Sequence, residues 1–406
     1  MARVVLGVGG GIAAYKVCEL LRLFTESGHE VRVVPTAAAL RFVGAPTWEA
    51  LSGQPVADDV WSAAHEVPHV RIGRHADLVV VAPATADLLA RAAGGLADDL
   101  LTSTLLTARC PVVFAPAMHT EMWEHPATVD NVAALRRRGS VVVEPASGRL
   151  TGVDTGKGRL PEPQEIFALA LRLLARGQAP PDLAGVRVVV TSGGTREPLD
   201  PVRFLGNRSS GKQGYAVARA AVARGATVRL VAANVALPDP AGVEVVRVET
   251  TGQLRDATLA AAADADVVVM AAAPSDFRPA EVSPEKIKKE GGEGPVLHLV
   301  TTPDVAAELG ATKKPDQVLV AFAAETVAGE EAVANARAKL HRKGADLIVL
   351  NQVGADRAGR QRGFGTDRNE AAVIDRDGSV TSLGPRSKDE LADNILDLVK
   401  PRLDRP

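Results

Sequence analysis

The chain has 406 residues and a mass of 42.3 kDa, room for two domains at roughly 100–200 residues each. Hydrophobic residues make up 46% and charged residues 24%, a globular composition that excludes a disordered or fibrous chain. With 47 Lys and Arg against 49 Asp and Glu and only 3% aromatic residues, it has neither the surplus cations nor the stacking platforms of a nucleic-acid binder.

In chain order, RVVLGV (3–8) predicts a strand, Gly9-Gly10-Gly11 a tight turn, and the apolar spacing up to Gly28 a helix. Strands are expected at 30–34, 76–82, 111–115 and 140–145 with helical stretches between them, and a helix at 164–176. Residues 178–184, with Pro180-Pro181, read as a linker. The pattern then restarts. A strand at 186–190 runs into Thr191-Ser192-Gly193-Gly194-Thr195, a helix covers 212–224, and strands are expected at 227–233, 263–273, 317–322 and 345–350. Short strands alternating with helices give parallel sheets covered on both faces. The fold class is therefore α/β, with two doubly wound Rossmann-like domains at 1–177 and 185–406.

Cys18 and Cys110 have no disulfide or metal spacing and read as packed thiols of a reducing cytoplasm. No apolar run approaches the ~20 residues of a membrane span, and the N-terminus lacks the pattern of a secretion signal. The expectation is a cytoplasmic protein with no membrane or nucleic-acid partner. Arg136-Arg137-Arg138 reads as a solvated helix end.

A glycine turn between strand and helix offers backbone N–H groups and a helix dipole to a phosphate. A dinucleotide fingerprint fails here. Gly7-x-Gly9 is followed by Ile12, and the second strand ends in Pro35-Thr36 instead of an acidic residue. A flavin mononucleotide fits better. In the second half, Gly206 to Lys212 satisfies most of a P-loop, but Gln213 stands where Mg²⁺ needs Ser or Thr, and REPLDPVRF before it does not read as a strand. Ser192, Thr195, Arg196, Arg203, Asn207, Arg208, Ser209, Ser210 and Lys212 still form a dense set of phosphate-binding groups. His65 and His69 are four apart, but Pro68 disfavours the helix that would pair them on a metal. His69 and His119 fall near strand ends, where each could face a cofactor. His29, His75, His125, His298 and His341 read as surface or capping residues.

Read together, GVGGGIAAYK (7–16), APATADLLARAAGGLADDLL (82–101), APAMHTEMW (115–123), SGGTREPLDPVRFLGNRSSGKQG (192–214), EKIKK (285–289) and AFAAET (321–326) resemble one family over nearly the whole chain. It is the bifunctional phosphopantothenoylcysteine decarboxylase and phosphopantothenate–cysteine ligase of bacterial coenzyme A synthesis. The resemblance implies a flavodoxin-like, FMN-dependent decarboxylase domain over 1–177. There Gly9, Gly10, Gly11, Thr36, Ala82, Pro83, Ala84, Thr85 and Thr102 match positions that hold FMN, and His69 matches the catalytic base. Met118 and His119 match substrate contacts, although the family's usual Asn is His119 here. Gly9 stands where the family usually has Ser. Thr151 is the nearest match to the lid cysteine that donates a proton, with Asp154, water and His119 as the other candidates.

For 185–406 the resemblance implies a ligase that joins 4′-phosphopantothenate to cysteine through an acyl-cytidylate made from CTP with Mg²⁺, whose ligands the sequence leaves unknown. Asn207 matches the residue tied to turnover of the acyl-cytidylate, and Lys286 a lysine on the triphosphate. Met270, Ala271, Ala272, Asp276, Thr302, Pro303, Asp304, Val305, Phe322, Lys339 and Lys343 match further nucleotide contacts. The Pro274-Ser275 pair departs from the family's pattern. The resemblance also implies a homo-oligomer, a dodecamer built from flavin-domain trimers and ligase-domain dimers. Two readings compete with it: another flavin-dependent decarboxylase or prenyltransferase, and a phosphatase regulatory subunit whose long acidic tail this chain lacks.

Overall fold

Strands covered by helices on both faces must be apolar on both faces, and residues 4–8 are buried without interruption. In a computed structural model, residues 1–56, 67–150, 154–177, 179, 181–288, 296–355, 361–362 and 368–404 are described. They form two compact units. One comprises Met1–Gly185, Val222–Ala226 and Asp239–Val243; the other comprises Val186–Ala221, Thr227–Pro238 and Glu244–Pro406.

The first unit runs β1 (Arg3–Val8), α1 (Ala14–Glu26), β2 (Glu30–Pro35), α2 (Ala45–Ser52), α3 (Pro68–His75), β3 (Leu78–Ala84), α4 (Ala86–Gly94), α5 (Leu100–Thr107), β4 (Val112–Pro116), α6 (Thr120–Glu124), α7 (Pro126–Arg137), β5 (Val141–Val142), β6 (Ala146–Arg149), β7 (Thr155–Arg159) and α8 (Pro163–Arg176). Five parallel strands pair in the order β2-β1-β3-β4-β5. The order reverses between β1 and β3, the flavodoxin-like arrangement. In α1, Val17, Leu20, Leu21 and Phe24 are buried, the i, i+3, i+4, i+7 spacing of one helical face. Phe24 meets Phe167 of α8 edge-to-face at 5.0 Å, and burying a ring of this size contributes about 2–3 kcal/mol. The helix stops at Gly28, whose φ is +79°.

The second unit runs β8 (Arg187–Gly193), β9 (Arg196–Pro198), β10 (Phe204–Gly206), α9 (Lys212–Ala223), β11 (Thr227–Ala233), β12 (Val243–Val248), α10 (Thr251–Ala262), β13 (Val267–Met270), β14 (Phe277–Pro279), β15 (Leu299–Thr301), α11 (Val305–Thr312), β16 (Val318–Glu325), α12 (Gly329–Arg342), β17 (Leu347–Gln352), β18 (Gly354–Ala355), β19 (Gln361–Arg362), β20 (Arg368–Asp375), β21 (Val380–Ser387) and α13 (Lys388–Leu403). The main sheet has the order β12-β11-β8-β13-β16-β17-β20-β21. Its first six strands follow the Rossmann order, reversing between β8 and β13. The last two are antiparallel, with a register shift between Asn369 and Ala371.

Several expectations need correction. REPLDPVRF does contain strand: β9 and β10 form a short antiparallel arm whose turn is closed by Asp200, which accepts from the N–H groups of Val202 and Arg203 at 2.7 and 2.8 Å. The strand expected at 140–145 shrinks to β5, and that at 263–273 to β13. Pro68, by contrast, agrees with its expectation: it is the first residue of α3, where the missing N–H costs nothing, and α3 does not run back through the left-handed Val67. Arg136 and Arg138 are not simply solvated: they donate to Glu144 and to the Ala93 carbonyl. His29, expected at the surface, is half-buried, its ring edge-on to Phe24 at 6.0 Å. His125 does cap a helix, accepting from Ala127 N–H.

Glu144 ties the β6–β7 hairpin to α7, 2.7 Å from Arg136 and 2.8 Å from Lys157. Burial alone would raise its carboxyl pKa, but the two cations outweigh burial and hold it below the usual range. A depressed folded pKa adds stability that is complete above the unfolded value and lost as pH falls through the folded one. Glu144→Gln should therefore lower stability by about 2 kcal/mol at pH 7, and the gap from the unsubstituted chain should close below pH ~4.5. Urea unfolding at both pH values reads this directly.

Candidate active sites

In the first unit the chemistry-bearing residues gather where β1, β2 and β3 end. Thr36 N–H donates to Val8 O at 2.9 Å and Gly9 N–H to Pro83 O at 3.1 Å. Gly9–Gly11, Thr36 and Ala82–Thr85 thus meet at the carboxyl edge beside the switch between β1 and β3. The hydroxyl of Thr36 accepts from Ala39 N–H, and that of Thr85 caps α4 by accepting from Leu88 N–H. Thr102 differs. Its side chain is buried, and its N–H and hydroxyl bond Asp99 in the capping box that starts α5.

Beside this edge lies a cleft of about 460 Å³ lined by Gly11, Tyr15, Lys16, Met118, His119, Arg149 and Arg159, among others. Met118 N–H donates to Gly158 O at 2.9 Å, which seats the β6–β7 hairpin on the β4–α6 loop. Glycine is required there, because a Cβ on Gly158 would fall 2.1 Å from Met118 O. Thr151 lies outside the described residues, as do His65 and Lys289. Asp154 is described, and its carbonyl accepts from Leu150 N–H across the hairpin.

His69 sits in the first turn of α3 and does not line that cleft. Its carbonyl accepts from the Thr107 hydroxyl at 2.8 Å, fixing α3 against α5. Its Nδ1 is buried and has no hydrogen-bond partner among the described residues. The two cysteines are free and half-buried, and burial pushes the Cys110 thiol up to about 11, which makes it a poor nucleophile at neutral pH.

In the second unit a cleft of about 370 Å³ opens at the switch between β8 and β13. Its wall brings together Asn207 and Asp276, Met270–Ala272 at the end of β13, Thr302–Val305 leading into α11, Phe322 of β16, and Lys339 and Lys343 at the end of α12. Both lysines are paired: Lys339 with Glu325 at 2.6 Å and Lys343 with Asp304 at 2.8 Å. Burial would raise the pKa of Asp304, but Lys343 and the N–H of Ala307 outweigh it and hold the carboxyl low. Gly194 must be glycine, since a Cβ there would lie 2.5 Å from Asn207 O.

Of the phosphate-binding set, only Asn207, Ser209, Ser210 and Lys212 line the cleft. The others serve the scaffold or lie away from the wall. Ser192 is buried and donates to Gly211 O, Thr195 is buried in a hydroxyl cluster, Arg196 stacks 4.5 Å over the Phe204 ring, and Arg203 pairs with Asp200. Sequence reasoning missed Arg342, Asn351, Asn369 and the buried Lys388, which also line the cleft. Asn351 follows a predicted strand and could have been suspected as a strand-end residue. Asn369 comes from β20 of the antiparallel extension and Lys388 from the start of α13, for which no motif was legible.

Lys286 stands apart. It is exposed, outside the cleft wall, on a segment pinned to the β9–β10 arm. The buried Asp200 carboxylate accepts from Ile287 N–H at 3.1 Å, and Arg203 donates to Ile287 O at 2.9 Å. Burial would raise the Asp200 pKa, but the N–H groups of Val202, Ile287 and Arg203 together hold it below the usual carboxylate range.

A family model described as flavoprotein matches residues 1–175, and one described as DNA/pantothenate metabolism flavoprotein C-terminal domain matches residues 183–402. The coenzyme A biosynthesis bifunctional protein CoaBC of Mycolicibacterium smegmatis is 60% identical over 405 residues, covering 98% of this chain and 97% of that protein. The protein of the same name from Bacillus subtilis is 42% identical over 396 residues, covering 97% and 95%. A solved C-terminal domain of such a protein is 35% identical, with a TM-score of 0.46, covering 55% of this chain and 98% of that one.

The Asp200 clamp is testable without any ligand. Asp200→Ala should release the segment at 281–288, so that trypsin cuts after Lys286 and Lys288 several-fold faster than in the unsubstituted chain. Unchanged cleavage rates at these two lysines would show that the clamp does not hold the segment.

Proposed function

The chain belongs to the family of bifunctional coenzyme A biosynthesis proteins, and from that membership we propose which residues perform each half of its activity. It is a phosphopantothenoylcysteine decarboxylase joined to a phosphopantothenate–cysteine ligase. We assign the decarboxylase to 1–177, the linker to 178–184 and the ligase to 185–406. The observation that carries the residue assignment is the second cleft: every ligase position matched in the sequence except Lys286 lies on its wall.

In the ligase, the carboxylate of 4′-phosphopantothenate attacks the α-phosphate of CTP, releasing pyrophosphate, and the amine of cysteine then displaces CMP from the acyl-cytidylate. Lys339 and Lys343 place cations near the polyphosphate, with Mg²⁺ accompanying it. Their pairing with Glu325 and Asp304 holds both ammonium groups in place before the ligand arrives. Asn207 presents its carboxamide to the acyl group. Lys286 reaches the triphosphate from the pinned segment, so Lys286→Gln should slow pyrophosphate release while leaving decarboxylation intact.

In the decarboxylase, FMN is the cofactor the site fits: a glycine turn at the start of α1 and small residues at the end of β3 leave room for it at the carboxyl edge. Bound there, it would supply the electron sink for loss of CO₂, accepting a hydride as the thiol is oxidised and returning it afterwards. His69 takes the thiol proton, and His119 and Met118 orient the substrate carboxylate. Thr151, Asp154, His119 and water are the candidates for returning the proton. The assembly we propose from the family resemblance is a dodecamer of flavin-domain trimers and ligase-domain dimers, and exposed apolar residues such as Ile12, Tyr15, Phe204 and Phe277 are available for contacts between copies. No described helix is long and apolar enough to cross a membrane, which is compatible with a cytoplasmic location.

Purified protein given 4′-phosphopantothenate, cysteine, CTP and Mg²⁺ should yield 4′-phosphopantetheine and CMP, identified by mass spectrometry. Product halting at phosphopantothenoylcysteine would leave the ligase assignment standing and remove the decarboxylase one. His69→Asn should produce that halt, with CO₂ release falling below detection and ligation unchanged.

A further inference from the structure

The sequence singled out Pro274-Ser275 as a departure beside the nucleotide cleft. The peptide joining these two residues is held from both sides. Its N–H, on Ser275, donates to Thr195 Oγ1 at 2.8 Å, and its carbonyl, on Pro274, accepts from Asn207 Nδ2 at 2.8 Å.

Behind Thr195 the polarity of the network is fixed. One oxygen of Glu197, Oε1, lies 2.8 Å from both the N–H and the hydroxyl of Thr251. An oxygen that accepts the N–H is an acceptor for the hydroxyl as well, so Thr251 donates its only hydroxyl proton there. Thr195 and Thr251 are 2.9 Å apart, and Thr195 must then be the donor between them. Its lone pair is left to accept from Ser275. Glu197, Thr195, Thr251 and Ser275 are all buried, so a break in this chain leaves a polar group without water to replace the partner.

We infer that Glu197, Thr251 and Thr195 are positioning residues for Asn207, acting through the single planar peptide between Pro274 and Ser275. The inference rests on the ligase reading above, in which Asn207 serves the acyl-cytidylate. A run of donors aligned toward one carboxylate polarises each member, and a peptide whose N–H is already bonded is the better acceptor at its carbonyl. The Asn207 amide is thereby fixed in rotation at the cleft wall, while none of the three residues touches the cleft.

The test compares Thr195→Val with Thr195→Ser in the full chain, with CTP, 4′-phosphopantothenate, cysteine and Mg²⁺. Thr195→Val should give a pyrophosphate burst of one per site at the unsubstituted rate and an unchanged KM for CTP. Ligation should then run about tenfold slower, with the acyl-cytidylate accumulating on the protein. Thr195→Ser, which keeps the hydroxyl, should restore ligation. Where Thr195→Val is not recovered folded, Thr251→Val breaks the same chain one step further back and should give the same split. Ligation within twofold of the unsubstituted rate, equal slowing of burst and ligation, or a Ser variant as slow as the Val variant would each overturn the inference. If the unsubstituted chain released no pyrophosphate from CTP, the ligase reading itself would fall, and this inference with it.

Discussion

Right-handed crossovers send consecutive helices to opposite faces of an open parallel sheet wherever the strand order reverses, and a crevice is left at the carboxyl ends of the two strands involved. Both units of this chain are organised by that constraint. In the first, the reversal between β1 and β3 gathers the glycine turn, Thr36 and the Ala82–Thr85 segment. In the second, the reversal between β8 and β13 opens the cleft that collects Asn207, Asp276 and the end of α12. Residues far apart in sequence meet because strand order, not local chain direction, decides where a doubly wound sheet is open.

Holding a polyanion requires cations, yet uncompensated cations crowded in a cleft repel one another before the ligand arrives. In the nucleotide role we propose for the second cleft, Lys339 and Lys343 would meet this by their pairing with Glu325 and Asp304. The carboxylates restrain long flexible side chains whose ordering would otherwise fall on the binding step. Lys286 is treated differently. Its ammonium stays exposed, and order is imposed on its backbone through Asp200.

Periodicity and glycine turns made the strand and helix alternation legible, because β1, β2, β3, β8 and β11 are apolar runs of ordinary length bounded by clear stops. The antiparallel strands β20 and β21 were not legible. Their alternating burial, seen in β20, carries no turn signal that distinguishes them from a polar tail. The motifs named most of the cleft wall but could not assign roles by residue type. Ser192, Thr195 and Arg203 look like phosphate ligands in sequence, and each is consumed by a backbone or side-chain partner within the scaffold. Whether a hydroxyl faces a ligand or its own fold depends on a few ångströms of packing that no spacing rule encodes. Pro68 shows the reverse case: its missing N–H places it at the first position of α3, and the helix reaches no further back than that.

The antiparallel pair at the end of the second sheet has a consequence for how that sheet meets other chains. An open row of strand N–H groups invites pairing with a further strand, and with it aggregation. On β21 the register shift opposite Asn369 and Ala371 falls where Gly384 and Pro385 stand. Pro385 has no N–H to offer, and the irregular register interrupts the template that a newcomer would need. At this point the rim of the sheet offers a newcomer neither an N–H nor a regular register, so a ladder extended along β21 would be broken there.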